Sequence, residues 1–147
     1  MLLDKIQSDL KSAQLARQEV NVSTLRLLLA EIKNAQIQKG EGLNDSEIVL
    51  IVQKEIKKRK EAASAFRLGS REEQALAEES ESQVLAGYLP AQLSNEELTK
   101  IIETTINEMG ATSISDMGKV IGSVMAKVKG QAEGGVVSSL VKEKLTP

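Results

Sequence analysis

The sequence predicts an all-α fold of two small helical subdomains, about four helices followed by about three. Three observations carry that expectation. Apolar residues recur at helical spacing along nearly the whole chain, with no surviving alternating strand pattern. Aromatic residues make up only 1%, with Phe66 and Tyr88 alone and no Trp, so any core is built from Leu, Ile, Val, Ala and Met, as in helical bundles. The two prolines, Pro90 and Pro147, leave long stretches free of helix breakers. With 147 residues, 41% hydrophobic and 27% charged, the chain can bury a core without disulfides or metal staples.

Each element follows in order. Leu3, Ile6, Leu10 and Ala13 predict a first helix over about residues 2 to 18. A second begins after a turn at Asn21-Val22-Ser23, places Leu25, Leu28, Leu29, Ile32 and Gln36 on one face, and ends near Gly40. A third is capped by Asn44 or Asp45 and runs to about Leu68, where Gly69 stops it. Ser70-Arg71-Glu72-Glu73 fits a capping box and starts a fourth helix ending near Ala86. Proline in Gly87-Tyr88-Leu89-Pro90 breaks the pattern, which divides the chain into residues 1–89 and 90–147. Ser94-Asn95-Glu96-Glu97 is a second capping box, followed by a helix burying Leu98, Ile101, Ile102, Thr105 and Ile106 up to Gly110. Two further helices are expected at about 114–129 and 135–145.

Composition excludes much chemistry. The chain has no Cys and no His, which removes disulfides, thiolate nucleophiles, imidazole acid–base catalysis and N/S zinc sites. No catalytic, cofactor or metal residues are expected. No apolar run spans a bilayer and Met1 leads directly into an amphipathic pattern, so neither a membrane nor a secretory route is expected, and the location predicted is cytoplasmic. The net charge of −2 is spread so that both halves are near neutral, and bulk charge announces no partner.

Candidate binding residues come from local pattern. Asp116 to Gly135 reads as helical yet carries Gly118 and Gly122 one turn apart, each costing about 1 kcal/mol relative to alanine. On projection the two glycines lie beside the apolar face of Met117, Val120, Ile121, Val124, Met125 and Val128. Such a notch either admits a neighbouring helix of the same fold or a ligand backbone, and the packing reading is the simpler one. Lys119, Lys127 and Lys129, with Gly130 beyond them, form a local basic strip suited to phosphates. Gly118-Lys119 is no nucleotide phosphate loop, since Ser113 stands where that motif needs glycine and Val120 where it needs Ser or Thr.

Elsewhere, Arg26 and Lys33 share one flank of the second helix and could reach phosphates or be ordinary surface. Lys57-Lys58-Arg59-Lys60 spreads around its helix at 100° steps and reads as a solvated face. Arg59 projects into the apolar face one turn after Glu55. That predicts either an ion pair at the core edge or a guanidinium turned to a cleft, with the ion pair preferred. The acidic group Glu72, Glu73, Glu78, Glu79 and Glu81 reads as solvation rather than as a carboxylate pair for catalysis.

Ser23-Thr24-Leu25-Arg26, Ile32-Lys33-Asn34-Ala35, Gln53 to Lys60, Tyr88 to Ser94, Asp116 to Val120 and Lys142 to Leu145 together resemble the bacterial YqeY-like proteins, in order and across the whole chain. The glycine-lysine stretch and the terminal helix also resemble the tail domain of GatB, the B subunit of the amidotransferase that converts glutamyl-tRNA(Gln) to glutaminyl-tRNA(Gln). The resemblance implies two helical subdomains and a tRNA-contacting tail without the domains that perform amidation. A carbon–nitrogen ligase activity with glutamine as amido donor would attach by resemblance only, and no position here carries a catalytic role over. Gln131 departs from the arginine or lysine common there, which thins the basic strip. The expectation is a non-catalytic tRNA-associated accessory protein whose partners are tRNA or an aminoacyl-tRNA enzyme. A helical protein–protein adaptor is the alternative, and a stand-alone amidotransferase-type ligase ranks last.

Overall fold

The computed structural model describes residues 1–146 and is helical throughout, with no strand among the described residues. It comprises two compact units, Met1–Leu89 and Pro90–Pro147. The first holds α1 (Leu2–Leu15), α2 (Glu19–Lys39), α3 (Asp45–Leu68) and α4 (Glu72–Ala86). The second holds α5 (Asn95–Met109), a 3₁₀ turn at Ile114–Asp116, α6 (Met117–Val128) and α7 (Gly134–Leu145).

In the first unit, Ile6, Leu25, Leu28, Ile32, Ile48, Val52, Ile56 and Leu85 form the core, one stripe from each helix. α3 packs chiefly on α4, and α1 on α2. In the second, Leu98 and Ile102 of α5 meet Val120, Val124 and Val128 of α6 and Val137, Val141 and Leu145 of α7. Each fully buried Val, Leu or Ile contributes about 1.5–3 kcal/mol, so these aliphatic stripes supply the main stabilisation of both units. Neither core contains an aromatic ring.

The caps explain where helices begin and end, and several differ from the sequence expectation. Asn44 and Ser94 each make a reciprocal capping box, with Glu47 and Glu97 respectively. Gly40 and Gly110 close α2 and α5 in the left-handed conformation, at φ 82° and 64°. The box expected at Ser70 does not form. Ser70 is itself left-handed (φ 59°) and its N–H donates to Arg67 O at 3.0 Å, while Arg71 N donates to Phe66 O at 2.8 Å. Those paired bonds are a Schellman closure of α3, and a left-handed backbone is incompatible with the extended geometry of an N-cap.

α1 likewise ends at Leu15 rather than near residue 18. The same closure around Arg17 (φ 56°) ends it, with Gln18 N donating to Ala13 O at 3.0 Å and Arg17 N to Gln14 O at 3.2 Å. The turn expected at Asn21-Val22-Ser23 therefore lies inside α2. No glycine marks the true turn, so the usual signal is missing.

Candidate functional site

In the second unit, α6 turns Val120, Val124 and Val128 fully inward. At 100° per residue the opposite side of the helix carries Gly118, Lys119, Gly122 and Ala126, all exposed. The glycines thus sit on the solvent face, not beside the buried one. A Cβ placed on Gly118 or Gly122 would meet no atom within 4 Å. This corrects the packing reading: no neighbouring helix fills the notch, and within the unit the two glycines weaken α6 without compensation.

The basic residues divide. Lys119 is exposed and makes no ion pair among the described residues. Lys127 is turned to α5, where its ammonium donates to Thr105 Oγ1 at 2.9 Å and to Glu108 Oε2 at 2.7 Å. The expected three-lysine strip is corrected to two, because Lys127 lies on the α5 flank of α6 and is committed there. Lys129 is exposed and follows the end of the helix in a left-handed conformation, φ 41° and ψ 58°. Gly130 continues at φ 85°, and Gln131 N donates to Val128 O at 2.9 Å, closing a tight turn with both central residues at positive φ. That turn is pinned from below. Gln92 Nε2 donates to Gly130 O at 3.0 Å and Leu93 N to Gln131 O at 2.8 Å. Gly130 is accordingly buried, a turn residue rather than a contact surface.

In the first unit, Arg26 and Lys33 are exposed on α2 without an ion pair among the described residues. Arg59 is 8% exposed and lies between two carboxylates: its Nη1 donates to Glu55 Oε2 at 3.0 Å and its Nε to Glu81 Oε2 at 3.1 Å. The ion-pair reading describes it, and the guanidinium is not free for an outside anion. Arg67 similarly binds Glu72 and Glu79. Three members of the acidic group on α4 are therefore partners of α3 arginines, not solvation alone.

Sequence reasoning missed a recess of about 430 Å³ in this unit, bounded by α1, the start of α2 and the end of α4. Asp9 and Tyr88, which meet there, stand 79 positions apart, and no local spacing signals the pair. No group of His, Cys, Asp or Glu among the described residues could hold a metal ion, and no helix is long and apolar enough to cross a membrane.

The chain is similar to several fungal proteins. An uncharacterized protein of Schizosaccharomyces pombe is 36% identical over 90 residues, which cover 61% of this chain and 73% of that one. Altered inheritance of mitochondria protein 41, mitochondrial, of Clavispora lusitaniae is 31% identical over 75% of this chain and 65% of its own length. The protein of the same name from Pyrenophora tritici-repentis is 29% identical over 74% and 57%. The chain thus spans about three fifths of these mitochondrial relatives.

Their names overturn the cytoplasmic expectation. Mitochondrial leaders are amphipathic and carry no apolar run, so the pattern behind that expectation does not bear on them. The family model for Yqey-like protein matches residues 3–145. On that match, which reaches every helix of the described residues, the chain belongs to the Yqey-like protein family.

Proposed function

We propose that the protein is a non-catalytic, tRNA-associated accessory factor whose solvent face of α6, with the turn after it, docks on the RNA backbone. The observation carrying this reading is the bare outer face: Gly118 and Gly122 are open to solvent while Lys119 and Lys129 stand exposed beside them. A helix surface is ordinarily covered by long polar side chains, and here its backbone is accessible. Phosphates can then approach closely, with the two ammonium groups as point charges. The resemblance of this stretch to the GatB tail supports the same partner. With Tyr88 and Phe66 as the sole aromatics, and both in the other unit, splayed bases find no stacking platform in the α5–α7 unit, so the recognition is of shape and backbone.

The reading is tested by fluorescence anisotropy of labelled total tRNA at low and moderate salt. Two phosphate contacts give log K a slope of roughly −2 against log salt, and Lys119→Gln reduces it by about one. Absence of binding at low salt removes the reading.

Gly122 provides the second arm. Because nothing occupies the space at its Cβ, Gly122→Ala stabilises the unit by about 1 kcal/mol in chemical unfolding. Gly122→Leu keeps the fold but blocks docking. If Gly122→Leu and Lys119→Gln leave tRNA binding intact yet abolish co-purification of a protein after nuclease treatment, the same face is a protein adaptor instead.

A further inference from the structure

The recess in the first unit holds two opposite charges that do not neutralise each other. Lys5 and Asp9 stand one turn apart on α1, the spacing at which an ion pair ordinarily forms. They make none, because Tyr88 engages both. Its hydroxyl donates to Asp9 Oδ2 at 2.7 Å, and the Lys5 ammonium lies 5.6 Å from the centre of its ring. Among the described residues, the second oxygen of the half-buried Asp9 and the N–H groups of the exposed Lys5, both at the wall of the recess, have no hydrogen-bond partner. Leu25 and Val84 make part of its wall apolar, and Leu25 is 2% exposed.

The geometry points to a binding site for a small zwitterion of the apolar α-amino acid class, its ammonium on Asp9, its carboxylate on Lys5 and its side chain against Leu25 and Val84. A ligand of one sign would satisfy one wall charge and leave the other uncompensated, whereas a zwitterion meets both. Charge-assisted hydrogen bonds to a half-buried carboxylate and an ammonium are the stronger kind, and the volume exceeds what such a ligand needs. Tyr88 acts as the spacer that holds the two charges apart, and its own hydroxyl stays protonated because burial and the Asp9 carboxylate both raise its pKa.

The experiment is an amide-resolved NMR titration of the full chain with L-leucine, N-acetyl-L-leucine and L-leucinamide. Saturable shifts are expected with L-leucine at the α1 face, at the start of α2 and around Gly87 and Tyr88. The anion-only and cation-only analogues should bind about tenfold more weakly or worse. Asp9→Asn retains an acceptor for the Tyr88 hydroxyl and Lys5→Met retains the stem over the ring, so both variants keep the fold. Each should weaken L-leucine by at least about tenfold with the remaining spectrum unchanged. No saturable shift with L-leucine, equal binding of either capped analogue, or shifts that survive both variants overturns the proposal. None of these outcomes bears on tRNA docking, which involves the other unit alone.

Discussion

Arg17, Ser70 and Lys129 are the described non-glycine residues at positive φ, and each ends a helix. A side chain there crowds the following carbonyl at a cost of about 1–2 kcal/mol, which glycine would avoid. At Ser70 a glycine stands one place too early: Gly69 lies at φ −88°, an angle any residue adopts. Ser70→Gly is therefore expected to raise the unfolding free energy of the first unit by about 0.5–1 kcal/mol, read from the denaturant midpoint. Lys129 is the informative case, because it is strained and also exposed at the proposed docking face. A turn with two positive φ values favours Asn before Gly. Lys129→Asn should thus stabilise the second unit by several tenths of a kcal/mol or more while weakening tRNA binding. A loss of both stability and binding would show that Lys129 serves the fold. Gain with unchanged binding would remove it from the site.

At the scale of elements, helix existence was legible because aliphatic periodicity decides it, and α5 and α3 even declare their starts through Ser94 with Glu97 and Asn44 with Glu47. What misled was local chemistry with two uses. Ser70 fits an N-cap by residue type, yet its backbone is consumed in closing α3. Projection put Arg59 on the apolar face of α3 beside Glu55, but its second partner, Glu81, lies on α4 and no pattern within α3 could name it. The glycine pair was visible, while its orientation depended on which side of α6 the α5 and α7 residues cover, a tertiary fact. The recess between α1 and α4 was invisible for the same reason. The Arg59 cluster yields a sharp expectation: Arg59→Ala leaves Glu55, 7% exposed, with only the more exposed Lys58, whose Nζ donates to Glu55 Oε1 at 3.2 Å. Breaking a buried pair from one side costs about 3–5 kcal/mol, and with Lys58 still on Glu55 the loss falls toward the lower end of that range, which thermal melts followed by circular dichroism would show. A loss below about 1 kcal/mol would mean that the cluster behaves as a surface pair.

For the molecule as a whole, the first unit should respond to acid as well as to alkali, where Lys39 is raised by Glu47, and the second to alkali. In the first, the Lys39 ammonium holds Glu47 below the ordinary carboxylate value of 4.5, helped by the Asn44 N–H, and the Arg67 guanidinium holds Glu79 below it. A carboxyl group depressed in the folded state contributes stability that is present above its unfolded pKa and is lost as pH falls through the folded one. In the second unit the Glu103 carboxylate raises Lys144 above 10.5, so its contribution is complete below that value and disappears as pH rises through the higher folded pKa. These pairs are exposed and screened by salt, so the effect is read at low ionic strength. Hydrogen exchange resolved by unit separates the two limbs, and Tyr88, the chain's one tyrosine, gives an independent fluorescence signal from the first. Arg67→Gln should lower the stability of the first unit at neutral pH, and the difference should shrink as pH falls below 4.5 and close only once it has passed the lower folded value, where the parent's Glu79 is uncharged too. Lys144→Gln should converge with the parent only in strong alkali. Curves that run parallel through those windows would mean that the pairs contribute nothing to folding, and that the aliphatic stripes alone set the stability of both units.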